Sequence, residues 1–447
     1  MSASVGDSSW TQEHVRRAFW RGGFGATPQE ARELAAAGRE ATLRALVDGL
    51  GGPELAGPAP TIDGGRPLDP VNEWAHDVLW WLDRMVRSRH PLQEKLTLFW
   101  HDHFATADQD TPMMLAQNRL LRRHALGSFP KLLDGIMRDP AMQLFLSLAD
   151  SSKDAPNENF ARELVELFTL GGQGYSERDI REIARALTGW RSHWGDNGLE
   201  WIRWDRELHD RGTKTIFGQK GRFGPTEVVR LVTEHPGHAP FLVGKLWAFF
   251  VTEPLDAATR KQLVQAYVGS GRRIKPVIER ILAHPALYHR LDAPDMVKSP
   301  LVHVAGILRA TGTPITIEGY GWMLDQMGQF PFRPPSVAGW DWGPAWLSTN
   351  AMRARVTLAN MLLAWGEEAP LRMPDNTADV TWAPEQQLEV ALDAMGRPWI
   401  SAGTRAALLE TAATFQDTPA RPRRDRADMC QRLLRHLLIS GPDAQLH

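Results

Sequence analysis

A chain of 447 residues is long enough to bury a large core and, on length alone, to form two or three domains. Its formal net charge is −2, so no overall excess of basic residues attracts nucleic acid or anionic lipid. The single cysteine, Cys430, excludes an intrachain disulfide as well as a zinc or iron–sulfur site built from cysteines.

The compartment is inferred from what the sequence lacks. The first twenty residues have no apolar core of the kind found in signal peptides, and no apolar run approaches the ~20 residues needed to span a bilayer. A lone cysteine fits a reducing compartment. We therefore expect a soluble cytoplasmic protein, with neither a membrane nor nucleic acid as its partner and with an oligomeric state that the sequence leaves open.

The hydrophobic pattern predicts helices along most of the chain. Apolar residues recur every three to four positions, and proline or threonine often stands where such a run begins. Up to residue 189, helices are predicted at residues 11–20, 28–37, 71–89, 112–125, 130–137, 156–170 and 176–189. Two more have one loosely defined end: a helix after residue 37 that ends near residue 50, and a helix that starts at residue 91 and runs towards residues 100–104. Residues 51–70 are rich in glycine and proline without periodicity, which predicts a linker-like loop.

Only residues 199–223 break this helical pattern. Their apolar and polar side chains alternate around glycine-containing turns, which predicts one small hairpin. Helices are then predicted at residues 226–233, 240–251, 257–268, 275–283, 300–310, 319–327, 351–365, 384–395, 404–413 and 424–439. The sequence thus predicts an all-α protein, with a main helical domain over residues 1–366 and a C-terminal helical extension over residues 367–447.

One predicted helix, residues 157–171, has an unusually polar face. At 100° per residue, Glu158, Arg162, Glu163 and Glu166 fall within a single arc opposite an apolar one. Glu163 and Glu166 are i,i+3 neighbours that could act as general acid and base or bind a metal, with Arg162 orienting them. The alternative is a solvated face on which Arg162 forms ordinary i,i+4 ion pairs.

Three histidines are further candidate ligands and proton carriers. His101 and His103 flank Asp102; in a helix their side chains point about 200° apart, whereas in an extended segment they share a side. A mixed nitrogen and oxygen site would suit iron, manganese or zinc. The possible ligands are His101, His103, Glu163, Glu166 and His209. The alternative for each histidine is a buried or capping residue.

Substrate contacts are expected from a loop and from aromatic residues. Eighteen tryptophans against four tyrosines indicate either core packing or aromatic platforms for hydroxylated ligands. Residues of the non-helical excursion could close over a ligand. The candidate substrate-binding residues are Trp100, Asp210, Lys214, Arg21 and Trp340. The chain contains neither a GxxxxGK[ST] phosphate loop, nor a GxSxG nucleophile motif, nor a Rossmann fingerprint.

Several motifs follow one another in an order that is shared with a known family. They are residues 17–28 (RAFWRGGFGATP), 100–106 (WHDHFAT), the helix 157–171, and the stretches 175–190, 209–218, 245–251 and 334–346. Over roughly residues 14–365 the chain resembles the bacterial domain of unknown function family 1800. The resemblance implies little about activity; relatives often look exported and occur beside sulfatase-like proteins, which implies polymer or glycan processing. This chain departs from them in lacking an export signal.

The leading hypothesis from the sequence is an enzyme of the hydrolase type that acts on a glycan or a similarly hydroxylated small molecule. Its expected catalytic residues are Glu163, Glu166, His103, His209 and Arg162. The two catalytic carboxyls of a glycosidase lie about 5 to 10 Å apart. Two carboxyls on one helical turn meet only the lower limit of this range, which counts against a simple glycosidase pair. The alternatives are a metal-dependent oxidoreductase with helix-borne ligands and a non-catalytic binding or assembly protein.

Overall fold

The computed structural model describes residues 10–107, 109–196, 198–364, 369–371, 381–416 and 423–447. The chain is 58 % helical, and its described part holds twenty α-helices and three two-stranded sheets. The predicted all-α class is therefore confirmed. No helix in the described part combines the length and the apolar character that crossing a membrane requires.

The helices are short and follow one another closely. In the first half of the chain they are α1 (Gln12–Gly22), α2 (Pro28–Ala37), α3 (Arg39–Asp48), α4 (His76–Arg87), α5 (Pro91–His103), α6 (Thr111–His124), α7 (Phe129–Met137), α8 (Pro140–Phe145), α9 (Glu158–Glu163) and α10 (Glu177–Ala186). In the second half they are α11 (Pro225–Glu234), α12 (His238–Phe250), α13 (Ala257–Gly269), α14 (Lys275–Leu282), α15 (Pro300–Thr311), α16 (Gly319–Gln326), α17 (Thr349–Leu362), α18 (Pro384–Ala394), α19 (Ala402–Gln416) and α20 (Arg423–Ser440). Short 3-10 turns lie at Pro285–Tyr288, Gly343–Leu347 and Pro442–Gln445.

The strands form three antiparallel pairs. Each pairs with its neighbour in sequence: β1 (Thr61–Ile62) with β2 (Arg66–Pro67), β3 (Trp190–Gly195) with β4 (Gly198–Trp204), and β5 (Lys214–Ile216) with β6 (Gln219–Gly221). Where the sequence predicted one hairpin over residues 199–223, the structure has two hairpins, and the first of them begins earlier, at Trp190. The predicted loop over residues 51–70 carries the small β1–β2 pair.

Contacts divide the chain into two compact units. Unit 1 comprises residues up to Lys95, Pro285–Phe330 and Asp341–His447, and unit 2 comprises Leu96–His284 and Pro331–Trp340. The boundary that the sequence suggests between residues 366 and 367 lies outside the described residues.

Each unit has its own core. In unit 1, α4 packs against α15, while α17 and α18 pack against α20. In unit 2, Trp100, Phe104, Phe129 and Phe168 are fully buried and their rings contact one another. The indole N–H of Trp100 donates to the carbonyl of Ala125 over 3.0 Å, so this tryptophan is buried without leaving its polar atom unpaired.

Two local features of unit 2 position the candidate site. α9 continues into a π-helical segment, Leu164–Thr169, whose wider turn is rare in proteins and often occurs near functional sites. α10 begins at a capping box, in which Ser176 accepts from the Asp179 backbone and Asp179 accepts from the Ser176 backbone. The sequence predicted this helix start correctly.

Candidate functional site

The polar face predicted for residues 157–171 lies on α9 and the π-helical segment. Phe160, Leu164 and Phe168 are fully buried on the apolar side, whereas Glu163 and Glu166 are half-buried on the other side. Burial of the apolar side therefore fixes the direction in which both carboxyl groups point.

Arg162 is held by carboxylates from two helices. Its Nη1 and Nη2 each lie 2.9 Å from an oxygen of Glu177 at the start of α10, a bidentate arrangement. The guanidinium also lies 3.3 Å from Glu166 and 3.8 Å from Glu158. The hydrogen bonds to Glu177, followed by that to Glu166, raise the pKa of Arg162. Arg162 is thus fixed in place beside Glu166.

Glu166 has a second neighbour in Tyr175, which follows a glycine-containing turn. The negative charge of Glu166 acts on the tyrosine hydroxyl. Burial and this negative charge raise the pKa of Tyr175, so the hydroxyl keeps its proton. Glu166 therefore has a cationic partner, Arg162, and a neutral hydroxyl group near it.

Glu163 differs from Glu166 in having no such partners. Among the described residues, its carboxyl group makes no hydrogen bond and no ion pair. Burial, followed by the negative charge of Glu166, raises its pKa, and the positive charge of Arg162 only partly offsets this. A larger fraction of Glu163 is consequently protonated near neutral pH than for an exposed glutamate.

His103 lies inside the unit 2 core rather than on a polar surface. It is 2 % exposed, and its ring contacts six aromatic rings, those of Phe99, Trp100, Phe104, Phe129, Phe168 and Phe241. Its Nε2 donates to the Phe168 carbonyl over 3.0 Å, and its Nδ1 is buried without a hydrogen-bond partner in the described part of the chain. Burial lowers the pKa of His103, which is therefore a neutral imidazole.

His101 and Asp102 face other surroundings, because this stretch is helical. The Nε2 of His101 accepts from the backbone N–H of Phe332 over 3.0 Å, and burial lowers the pKa of His101 to about 3. Asp102 accepts from the backbone N–H of Trp340 over 2.8 Å. Both side chains thus bind the segment 331–340, which contains the candidate Trp340, itself only 6 % exposed.

The loop with His209, Asp210 and Lys214 is braced on α10. Asp210 lies 2.7 Å from the Nε of Arg185 on that helix. Lys214 is buried and donates to the carbonyls of Asp210 and Gly212. Asp210 also accepts from the backbone N–H of Gly212 over 2.7 Å, so both side chains stabilise the loop's own backbone.

His209 is the residue of this loop whose side chain keeps a nitrogen available for a ligand. Its Nδ1 donates to the Thr188 carbonyl over 2.9 Å, which fixes the tautomer and leaves a lone pair on Nε2. Its ring lies 5.5 Å from that of Trp204, a tryptophan that is 42 % exposed. Burial lowers the pKa of His209, and its hydrogen bond to Thr188 only partly offsets this.

A family model described as "Protein of unknown function (DUF1800)" matches residues 17–446, nearly the whole chain. The chain belongs to the DUF1800 family. No curated protein and no solved structure matches it. The family description names no activity, so only the residues of this DUF1800 chain indicate its function.

The structure brings together part of the predicted site. Arg162, Glu163 and Glu166 share one face of a helix, whereas His103 lies in the aromatic core and Arg21 is a buried residue of unit 1. Arg21 donates to Asp295 over 2.8 Å. In the described part of this DUF1800 chain, no three histidine, cysteine, aspartate or glutamate side chains are grouped so that they could hold one metal ion. The five ligands proposed from the sequence are thus not gathered into one site.

Two residues of the face were not found from the sequence. Glu177 binds Arg162, and Tyr175 comes near Glu166, because the chain reverses between the π-helical segment and α10. The glycines at positions 171, 172 and 174 adopt positive φ values and form this reversal. Their cluster signals a turn, but the turn geometry decides which side chains meet.

Proposed function

We propose that this DUF1800 chain is an acid–base enzyme of the hydrolase type, acting in the cytoplasm on a glycan or a similarly hydroxylated substrate. Glu163 is the proton donor and Glu166 its ionised partner. The observation that carries the proposal is the unequal environment of the two carboxyls: Glu166 pairs with Arg162, whereas Glu163 makes no hydrogen bond or ion pair with the described residues and has a raised pKa. Enzymes that need an acid and a base at one pH commonly place two carboxyls in unlike surroundings.

The roles of the neighbouring residues follow from their contacts. Arg162 is a positioning residue, since its bidentate bond to Glu177 fixes the guanidinium that neutralises Glu166. Tyr175 keeps its proton beside Glu166, because burial and the negative charge of Glu166 raise the pKa of its hydroxyl. Glu163 is free to donate its proton to a leaving group or to a hydroxyl of the substrate.

The β3–β4 hairpin supports a hydroxylated, ring-shaped substrate. Trp194 and Trp204 are 56 % and 42 % exposed, which is high for tryptophan. Such rings offer flat apolar surfaces on which a sugar ring can stack. The indole of Trp194 is held in place, because its N–H donates to Ser192, whose hydroxyl in turn donates to Asp150. The open Nε2 of His209 beside Trp204 can accept a hydrogen bond from a hydroxyl group.

The proposal is tested with a panel of polysaccharides and oligosaccharides, in which newly formed reducing ends are measured. Glu163→Gln and Glu166→Gln are each expected to lower kcat by about 100-fold or more, because each removes a proton-transfer group. Glu279→Gln is the matched control: Glu279 is an exposed glutamate of α14, outside the contacts of this face, and the variant is expected to keep kcat. The wild-type rate should fall at high pH as Glu163 loses its proton, and this limb should be absent from the residual activity of Glu163→Gln. Full activity of Glu163→Gln on a substrate that the wild type cleaves would overturn the proposal.

One further observation favours a second function, that of a non-catalytic binding protein. The exposed tryptophans of the β3–β4 hairpin can serve as an interaction surface without any chemistry at Glu163. Binding of an oligosaccharide that Trp204→Ala weakens and Glu163→Gln leaves unchanged, with no turnover by the wild type, would select this function over the enzyme.

A further inference from the structure

Unit 1 contains a cleft whose lining residues are separate from Glu163, Glu166 and the β3–β4 hairpin of unit 2. It encloses about 670 Å³ and is lined by the loop that precedes β1, the end of α4, and residues 312–316 that follow α15. Most of its walls are apolar, and they include Leu50, Pro58, Val86, Leu308, Pro314 and Ile315. A volume of this size accommodates a small organic ligand.

Three arginines line the cleft, and two of them are fully engaged by the protein. Arg87 makes two bonds of 2.7 and 2.6 Å to Asp83 and donates to two backbone carbonyls of the loop. Arg309 lies 2.8 Å from Glu30 and donates to backbone carbonyls at Gly25 and Val86. These two guanidinium groups hold the walls of the cleft together.

Arg89 is the third arginine, and its side chain is not engaged. Its backbone is fixed, because its carbonyl accepts from Leu50 over 2.8 Å and its N–H donates to Glu54 over 2.9 Å. Its guanidinium makes no hydrogen bond or ion pair with the described residues, although its Nε is buried. Arg89 as a whole is half-buried, and a buried N–H without an acceptor is costly, which favours an acceptor supplied from outside the chain.

We propose that this cleft binds a small organic monocarboxylate with an apolar body, whose carboxylate pairs with Arg89. A carboxylate matches the planar donor pattern of a guanidinium, and an aliphatic body matches the apolar walls. Glu30 and Glu33 also line the cleft. Their negative charges disfavour a dianion such as phosphate at the same position.

Titration calorimetry with octanoate tests the proposal. Octanol, which lacks the carboxylate, and inorganic phosphate, which lacks the apolar body, are the comparison probes. The wild type is expected to bind octanoate more tightly than either probe. Arg89→Gln should weaken octanoate binding by about tenfold or more, because a charge-assisted hydrogen bond is lost. Arg44→Gln is the matched control, since Arg44 is an exposed arginine of α3 that pairs only with Glu40, and it should bind like the wild type.

A second variant keeps the test valid if Arg89→Gln folds poorly. Ala59 lines the cleft from the exposed loop, so Ala59→Trp fills the space without removing a buried group, and octanoate binding should weaken. Three results would overturn the proposal: no octanoate binding by the wild type at millimolar concentration, equal binding by the wild type and Arg89→Gln, or phosphate binding that exceeds octanoate binding. None of these readouts depends on hydrolase activity, so the two proposals can fail separately.

Discussion

At the scale of single residues, Lys298 shows how a buried charge affects stability. It lies inside unit 1, where its Nζ donates to the Ala444 carbonyl over 2.9 Å and lies 4.2 Å from the centre of the Trp20 ring. Burial, followed by the positive charge of Arg355, lowers the pKa of Lys298 to about 7. The folded protein therefore releases this proton far more readily than the unfolded chain does.

The pKa of Lys298 predicts a pH dependence of stability. Below pH 7 the lysine is charged in both states, and the cost of burying the charge is fully present. Between about pH 7 and 10 only the unfolded chain keeps the proton, so the free energy of unfolding rises with pH. Lys298→Met lacks this effect, and its stability relative to the wild type should fall by up to about 1.4 kcal/mol per pH unit above pH 7.

Denaturant unfolding at several pH values measures this difference. Lys261→Met, at an exposed position of α13, is the control and should differ from the wild type by a constant amount across the same range. A difference between Lys298→Met and the wild type that does not change with pH would contradict the prediction.

Sequence reasoning at this scale found Arg162, Glu163 and Glu166, because side chains three and four positions apart on a helix are neighbours in any fold. It could not distinguish Glu163 from Glu166, since the burial that raises the pKa of Glu163 depends on how the rest of the chain packs around the helix. It also could not foresee that His103 is enclosed by aromatic rings, because these rings come from several helices.

At the scale of elements, α10 organises the loop that follows the first hairpin. Its capping residue Asp179 also accepts from the backbone N–H of Phe217 over 2.7 Å, and Glu182 accepts from that of Thr215 over 2.8 Å. Phe217 has a φ of 50°, a left-handed conformation that is unfavourable for this residue type. One helix thus holds a strained turn in place through two carboxylates.

Removal of one of these carboxylates should loosen both elements. Asp179→Ala deletes the Asp179 half of the capping box and the acceptor for Phe217, while the Ser176 cap remains, at an expected cost of about 1 to 2 kcal/mol in the free energy of unfolding. The backbone amide of Phe217 should also exchange its hydrogen faster. Arg178→Ala, an exposed neighbour in the first turn of α10, is the control; equal exchange of the Phe217 amide in the two variants would contradict the prediction.

The elements that sequence patterns predicted well are those that local periodicity determines. Most helices appear close to their predicted positions, and the start of α10 follows from Ser176 and Asp179. The π-helical segment was not predicted, because its apolar pattern is also that of an α-helix. β3 was not predicted because the strand has only two apolar residues, both tryptophans, among polar ones, and it depends on pairing with β4.

At the scale of the whole molecule, the two units have separate cores. Leu132 of α7 is fully buried in unit 2, and Leu301 of α15 is fully buried in unit 1. Replacement of either leucine by alanine should cost about 2 to 5 kcal/mol. Since stability varies between cooperative parts of a protein, Leu132→Ala should speed hydrogen exchange in unit 2, and Leu301→Ala in unit 1.

Hydrogen exchange resolved along the chain measures both effects, and the two variants serve as controls for each other. A uniform increase of exchange across both units in either variant would show that the chain unfolds as a single cooperative body, contrary to this prediction.

The divided sequence of unit 1 has a consequence for synthesis on the ribosome. Residues up to Lys95 emerge early, but α15, against which α4 packs, begins only at Pro300. At typical translation rates this delay lasts roughly 10 to 40 s. By the end of that time unit 2 has nearly all of its own residues, whereas Trp81, Leu82 and Met85 of α4 still lack their partner helix. We therefore expect α4 to be the part of the nascent chain that chaperones bind.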